Sequence, residues 1–218
     1  MTILLVVLMV TVLLLVDWYV TKRRQTAAAA ARAAKAVGEL FVHPGHTWIR
    51  VHGDDLVSVG ATDLASNFAG ILSTVALPRE GERIGKGEPA WALVSKKNRQ
   101  LKQLMPIKGR VVAVNESLRD NPHLTQQSPY EEGWILRVRP RGLKKSLGEF
   151  LPFAAARSLI DEALARITRR LSPELGPVAN DGGEWVRGFG DRFDDAQWKV
   201  LKDELFPPPR TEPGAEAE

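Results

Sequence analysis

The side chains with the clearest capacity for chemistry are the cations of a short stretch near the middle of the chain. Lys96, Lys97, Arg99 and Lys102 follow one another closely after an apolar run. In a loop, such cations can contact anionic lipid headgroups, and each contributes about 1 kcal/mol near a charged bilayer. Aromatic residues are not interleaved with these cations, so no nucleic-acid partner is expected. The stretch therefore predicts an exposed basic loop.

Other kinds of reactive site have little support in the sequence. The chain contains no cysteine, which excludes disulfides, thiol nucleophiles and cysteine metal sites. No metal site is expected either, because the histidines lack the spacing of zinc ligands: His43, His46, His52 and His123. We interpret His46 and Trp48 as structural residues, and Asp63 as the start of a short helix. Because no nucleophile–base pair or phosphate-binding loop is visible, we predict that the chain is not an enzyme.

The segment around the basic loop has the pattern of a mainly β domain, which we place at residues 43–140. Trp48 to Val51 and Leu56 to Gly60 flank a Gly53-Asp54-Asp55 turn, which predicts a β-hairpin. Thr62 and Asp63 then predict the start of a short helix over Leu64 to Phe68, with Gly70 as its stop.

The basic loop itself is expected to join two strands of this domain. Ala90 to Val94 reads as an apolar strand, and we predict that Gly109 to Val114 is its partner. Trp134 to Val138 alternates in the manner of a half-buried strand. Short strands separated by turns are typical of a small barrel or sandwich.

The first residues of the chain predict a membrane anchor, residues 1–21. Residues 2–20 are almost entirely apolar, and a helix of about 20 residues spans the hydrocarbon core of a bilayer. Trp18 and Tyr19 occupy the position of an interfacial aromatic belt, and Lys22-Arg23-Arg24 follows at once. A cleaved signal peptide carries its positive charges before the apolar run, whereas here they come after it. We therefore expect a single-pass anchor with the N-terminus outside and the remainder in the cytoplasm.

The regions on either side of the β domain are expected to be helical. Residues 22–42 form an alanine-rich basic tract that favours a helical stalk. Within residues 141–206, apolar residues recur at helical spacing from Phe153 to Leu171, and Asp194 to Leu205 reads as a second helix. The polar tail at 207–218 is expected to be disordered.

Residues 46–140 resemble the H protein of the glycine cleavage system. The resemblance rests on ordered matches that include many turn-forming glycines and prolines. They are His46-x-Trp48, Val57-x-Val59-Gly60-x-Thr62-Asp63-x-Ala65, Gly70, Leu77-Pro78, Gly81, Gly87-Glu88-Pro89, Ser95, Lys97, Pro106-x-x-Gly109, Val111-Val112-x-Val114-Asn115, Leu118, Asn121-Pro122-x-Leu124, Pro129-Tyr130 and Gly133-Trp134-Ile135.

The resemblance implies a barrel-sandwich hybrid fold with a lipoyl-bearing lysine at the tip of a hairpin. A family H protein takes an aminomethyl group from a decarboxylase and presents it to a transferase on its lipoyl arm. Counting forward from Gly87-Glu88-Pro89 places the modified residue at Lys97, whereas counting backward from Pro106 places it at Asn98. Lys97 is therefore the implied site of covalent lipoate, with Lys96 as the second candidate. The family motif Glu-Ser-Val-Lys-Ala is replaced by Val94-Ser95-Lys96-Lys97-Asn98.

Two functions follow from the resemblance and the predicted anchor. The first is a membrane-tethered lipoyl carrier of glycine catabolism, whose partners are glycine cleavage components or other lipoate-dependent enzymes. The second is an adaptor that keeps the fold without the cofactor. In that hypothesis the basic loop and the C-terminal helices hold a partner protein or anionic lipid at the membrane.

Overall fold

The computed structural model describes residues 13–15, 39–53, 55–170 and 186–206. Strands in these ranges are β1 (Leu40–His43), β2 (Thr47–Val51), β3 (Val57–Ala61), β4 (Leu72–Ala76), β5 (Arg83–Ile84), β6 (Pro89–Ser95), β7 (Gln100–Leu104), β8 (Gly109–Val114), β9 (Leu136–Pro140) and β10 (Leu151–Pro152). Helices are α1 (Asp63–Phe68), α2 (Ser117–Asp120), α3 (Leu124–Gln127), α4 (Leu143–Ser146), α5 (Arg157–Arg170) and α6 (Asp195–Leu205). Short 3₁₀ turns occupy Leu147–Glu149, Phe153–Ala155 and Phe189–Arg192.

The strands form two sheets that pack face to face. Sheet A has the order β10-β1-β2-β3-β9-β8-β5, and sheet B has the order β4-β6-β7. Ile49, Val59 and Val138 of sheet A share one buried apolar cluster with Leu93 and Leu101 of sheet B. The predicted mainly β, sandwich-like fold is confirmed.

The predicted hairpin over β2 and β3 is confirmed. The two strands pair in register, with Trp48 opposite Gly60 and Val51 opposite Val57. A Cβ atom on Gly60 would lie 2.6 Å from the Trp48 ring, so only glycine lets the indole lie flat on the neighbouring strand. The Trp48 Nε1–H donates to the Ala61 carbonyl at 2.9 Å, which satisfies the buried indole.

Helix α1 begins and ends at the expected residues. The Thr62 hydroxyl accepts from Ala65 N–H at 3.3 Å, and Asp63 occupies the first turn. Gly70 follows the helix with a φ of +100°, a conformation that side chains other than glycine rarely adopt.

The predicted partner of β6 was wrong. β6 pairs with β7 (Gln100–Leu104) on one side and β4 on the other. Gly109 to Val114 instead forms β8, which pairs with β9 and β5 in sheet A. Strand β7 shows an alternation of buried Leu101 and Gln103 with exposed Lys102. The run of cations made this alternation difficult to recognise in the sequence. The hairpin that carries the basic loop is therefore β6–β7.

The C-terminal extension packs on the β domain both before and after residues 171–185, which lie outside the described residues. Sheet A includes β1 and β10, so its strands extend past both ends of residues 43–140. Ala156, next to α5, packs with Val42 and Trp48 on the outer side of sheet A. Helix α6 begins with a capping box, in which the Asp194 carboxylate accepts from Gln197 N–H at 2.8 Å.

Several predicted regions lie outside the described residues: the anchor over 2–20 except 13–15, the stalk up to residue 38, residue 171 of the apolar stripe, and the tail at 207–218. The end of the predicted helical stalk was wrong, because residues 40–42 belong to strand β1 and pair with β2. Among the residues that the structure does describe, no helix has the length and apolar character needed to cross a membrane.

Candidate functional site

The loop that joins β6 to β7 presents two lysines at its apex. Asn98 N–H donates to the Ser95 carbonyl at 2.9 Å, and Ser95 N–H donates to the Arg99 carbonyl at 2.9 Å. These bonds close a three-residue loop, Lys96-Lys97-Asn98. Asn98 has a φ of 59°, a left-handed conformation that asparagine tolerates better than most residues. Both lysine side chains are exposed. The tip of the loop therefore carries lysine amines as well as the Asn98 side chain.

The loop is held on one side by the start of β4. Lys96 N–H donates to the Ile71 carbonyl at 2.8 Å. The Ser73 hydroxyl lies 3.1 Å from the Val94 carbonyl oxygen and 3.2 Å from that of Ser95. The base of the hairpin is therefore rigid, while the lysine side chains project from it.

On its other side the loop meets residues 186–206, which we call the C-terminal segment. Arg99 is the main contact, because its side chain is only 9% exposed and donates to three groups of this segment. The guanidinium donates to the Gly190 carbonyl at 3.0 Å, to the Phe193 carbonyl at 2.8 Å and to the Asp195 carboxylate at 2.6 Å. Arg99 therefore fastens the loop and is not part of a solvated basic surface.

Lys97 also reaches the C-terminal segment. Its ammonium group donates to the Asp191 backbone carbonyl at 2.6 Å, yet the side chain is exposed. A single hydrogen bond to a carbonyl at the surface is easily exchanged for water. The amine at the apex is accessible for acylation once this one contact opens.

Aromatic packing fixes the C-terminal segment beside the loop. The Trp198 ring stacks on Phe68 with a centroid distance of 5.5 Å and an interplanar angle of 13°, and its Nε1–H donates to the Phe68 carbonyl at 3.1 Å. Gly190 passes so close to α1 that a Cβ atom would lie 1.8 Å from the Phe68 carbonyl oxygen. Gly188 N–H donates to the Asn67 side chain at 3.1 Å. The segment is thus built into the domain.

The four residues of the expected basic loop do not form one group. Lys96 and Lys97 lie at the apex, Arg99 is packed under the C-terminal segment, and Lys102 projects from β7. Sequence reasoning missed Gly190, Phe193 and Asp195 as neighbours of the loop. These residues are some ninety positions from Arg99 in the chain, and no local pattern reports such a contact.

His46, Asp63 and Tyr130 have structural surroundings. Burial, with smaller contributions from Arg166 and His43, lowers the pKa of His46 to about 4, so its imidazole is neutral near pH 7. The Tyr130 hydroxyl donates to Asp63 at 2.8 Å, and burial raises the pKa of Tyr130 well above its usual value. The His46 imidazole and the Tyr130 hydroxyl are therefore not poised for proton transfer at neutral pH.

A cavity of about 300 Å³ lies on the β7 side of the domain. Its lining comes from the β1–β2 turn, the turn before β6, β7 itself and Phe206, and includes His43, Lys86, Lys102 and Met105. Burial and the nearby Lys86 ammonium lower the pKa of His43, so the cavity offers a neutral imidazole beside a mostly apolar wall.

Comparison with known proteins identifies the family. The model of the glycine cleavage H-protein family matches residues 25–159, which is more than half of the chain. The chain belongs to the glycine cleavage H-protein family. The H protein of Geobacillus thermodenitrificans is 40% identical over 108 residues, which are 49% of this chain and 83% of that protein. The H protein of Photorhabdus laumondii is 33% identical over 124 residues, 57% of this chain and 94% of that protein.

A solved H-protein structure from Mycobacterium marinum is 31% identical, with a TM-score of 0.48, and the match covers 56% of this chain and 96% of that one. H proteins carry covalently attached lipoate and are not catalysts. The predicted family is confirmed, and with it the predicted cofactor of that family, lipoate, and the predicted non-enzymatic role.

Proposed function

We propose that this H-protein family member is a lipoyl carrier with Lys97 as its attachment site. The observation that carries the proposal is the exposed Lys97 amine at the apex of a rigid hairpin. A lysine side chain that is amide-linked to lipoate forms a long flexible arm, and the supporting sheet sets the point from which it swings. When bound, lipoate supplies thiol–disulfide chemistry, and the protein supplies position.

Lys97 is favoured over Lys96 by the contacts of the two residues. The backbone of Lys96 is bonded to Ile71 at the β4 edge, while Lys97 lies one position further toward the tip. The Lys97 amine contacts the Asp191 carbonyl, and an amide nitrogen at that position retains one N–H to donate. The site is thus compatible with the lysine before and after acylation.

The surface around Lys97 differs from that of the family motif. Val94 stands where the family motif has a glutamate. The C-terminal segment contacts the loop through the Asp191 backbone carbonyl, which accepts from Lys97, and the Asp195 carboxylate, which pairs with Arg99. We infer that a lipoyl-attaching enzyme meets a surface composed of the loop and the C-terminal segment together.

The proposal extends to the location of the carrier. Residues 1–21 anchor the chain in a membrane with the N-terminus outside, residues 22–38 form a helical stalk, and the H-protein domain faces the cytoplasm. The support is the apolar run at 2–20 followed at once by Lys22-Arg23-Arg24. Its partners are glycine cleavage components or other enzymes that act on a lipoyl arm.

The test is the intact mass of the full chain after co-expression with a lipoate ligase. Wild type and the matched control Lys96→Arg should gain the mass of one lipoyl group, and Lys97→Arg should gain none. A gain that survives Lys97→Arg but is lost in Lys96→Arg would move the site by one residue. No gain in any variant, with the fold intact by circular dichroism, would overturn the carrier function.

A second candidate is an adaptor without cofactor, favoured by the way in which the C-terminal segment occupies the Lys97 amine. It predicts that native chain carries no lipoyl group and that a co-purifying protein remains bound in Lys97→Arg. Replacement of Phe153, which precedes α5 and is 45% exposed, by aspartate should release that protein.

A further inference from the structure

The outer face of sheet A carries a row of arginines that has no role in the lipoyl site. Arg83 on β5 is directly opposite Arg110 on β8, and Arg110 is directly opposite Arg139 on β9. The neighbouring residues Ile84 and Val138 point into the core, so strand alternation directs the arginines outward.

Further cations extend this row into a surface, which we call the arginine face. Its members are all exposed and lie on three adjacent strands or directly beside them: Arg83, Lys108, Arg110, Arg137, Arg139 and Arg141. Arg141 N–H donates to the Lys108 carbonyl at 2.9 Å, which places these two cations side by side. Adjacent strands lie about 4.8 Å apart, so the positive charges are densely spaced.

Folding stability does not account for this arrangement. Like charges directly opposite one another on neighbouring strands are destabilising. Among the described residues, an ion pair on this face joins Arg139 to Asp55 at 3.8 Å. Both side chains are largely exposed, at 65% and 76%. Arg110 donates to the Gly81 carbonyl at 3.2 Å, and Arg137 lies 4.6 Å from the centre of the Trp134 ring. None of these contacts neutralises the row.

We propose that the arginine face docks on the anionic headgroups of a lipid bilayer. Charge complementarity is the first argument, since each cation near an anionic bilayer adds to the attraction. The second is the apolar run at 2–20 of the same chain, which keeps the domain next to a membrane and in this respect rests on the proposed function. A single-stranded nucleic acid would need exposed rings on which bases stack. Trp134, the aromatic residue on this face, is instead covered by Arg137.

This docking also orients the carrier. Sheet B packs on the inner face of sheet A through the shared core, and the β6–β7 hairpin belongs to sheet B. With the outer face of sheet A on the bilayer, the hairpin lies on the side of the sandwich that faces away from it. The Lys97 arm is then presented to partners in solution.

The experiment uses the full chain, which has no cysteine, so that one introduced cysteine can carry an environment-sensitive fluorophore without background labelling. One label replaces Val112, which is exposed on β8 next to the arginines, and the other replaces Thr74, which is exposed on sheet B. Each protein is reconstituted into vesicles of phosphatidylcholine alone or with about 30 mol% phosphatidylserine.

The label at Val112→Cys should shift to shorter wavelength on anionic vesicles, and the shift should vanish in about 1 M NaCl, where the Debye length is about 3 Å. Arg83→Gln/Arg110→Gln/Arg139→Gln should lower the ratio of docked to undocked protein by about one hundredfold, at roughly fivefold per cation. The matched variant Lys96→Gln/Lys102→Gln/Lys199→Gln removes equal charge elsewhere and should keep the shift, as should Lys97→Arg.

Other outcomes would overturn the proposal. These are a shift of equal size on neutral vesicles, an equal shift of the label at Thr74→Cys, loss of the shift only in the lysine variant, or a shift induced by a soluble polyanion but not by anionic vesicles. Flotation in about 1 M NaCl separates this proposal from the tether, because an anchored chain stays with vesicles at a salt concentration that screens surface charges.

Discussion

Replacement of Arg99 by methionine should release the C-terminal segment from the β6–β7 hairpin. The substitution keeps an unbranched, apolar side chain but removes the guanidinium, which donates to the Gly190 and Phe193 carbonyls and to the Asp195 carboxylate. A hydrogen bond from a charged donor contributes about 1.5–3 kcal/mol when it is shielded from water. The Arg99 side chain is 9% exposed, so the lower end of that range applies to the two carbonyl bonds, and together they contribute about 3 kcal/mol.

The ion pair contributes much less than the carbonyl bonds. Asp195 is 94% exposed, and an exposed pair is worth below about 1 kcal/mol. Asp195→Asn is therefore the informative control, because it retains an acceptor at the same place while removing the charge. We expect Arg99→Met to weaken docking several times more than Asp195→Asn does.

Hydrogen exchange of the α6 amides measures this docking directly. A lone helix as short as α6 is marginal in water, so its amides exchange whenever the segment leaves the domain. A loss of about 3 kcal/mol should accelerate their exchange by about one hundredfold in Arg99→Met. The amides of β2 should be unaffected and report that the sheets are intact. Equal acceleration in Asp195→Asn, or none in Arg99→Met, would refute the reasoning.

Two further predictions concern residues with a left-handed backbone. Burial depresses the pKa of His46 to about 4, below its value in the unfolded chain, so unfolding takes up a proton between about pH 6.5 and 4. The free energy of unfolding should therefore fall by about 3 kcal/mol as pH decreases through this window, and His46→Asn, which tolerates the same φ of 57°, should flatten the urea-midpoint profile. At the loop apex, Asn98→Gly should leave stability within about 0.5 kcal/mol, whereas Asn98→Val should cost about 1–2 kcal/mol because a β-branched residue resists positive φ. Equal thermal midpoints for the two Asn98 variants would contradict the loop geometry.

The sequence was sufficient to predict elements whose causes are local. The hairpin over β2 and β3 follows from a glycine-containing turn between alternating strands, and α1 follows from its Thr62 cap. Both signals lie within a few residues of the structure that they specify.

Features with distant causes were not predictable from the same patterns. The sequence predicts a loop where strand β7 lies, because its exposed positions carry Gln100 and Lys102, and Gln103, which is buried on the same side as Leu101, is polar. The contact of Arg99 with the C-terminal segment depends on Trp198 stacking over Phe68, a pairing between residues 130 positions apart. Such contacts are decided by the packing of the whole domain and leave no local periodicity.

The central claim is that Lys97 carries the lipoyl arm, and peptide-level mass mapping of the native full-length chain tests it most directly. Digestion after acidic residues releases the hairpin intact, because the chain from Pro89 to Asn115 contains no aspartate or glutamate. The account predicts a lipoyl mass on this peptide, with fragment ions that place it on Lys97. An unmodified peptide, or fragment ions that place the lipoyl group on Lys96, would contradict it.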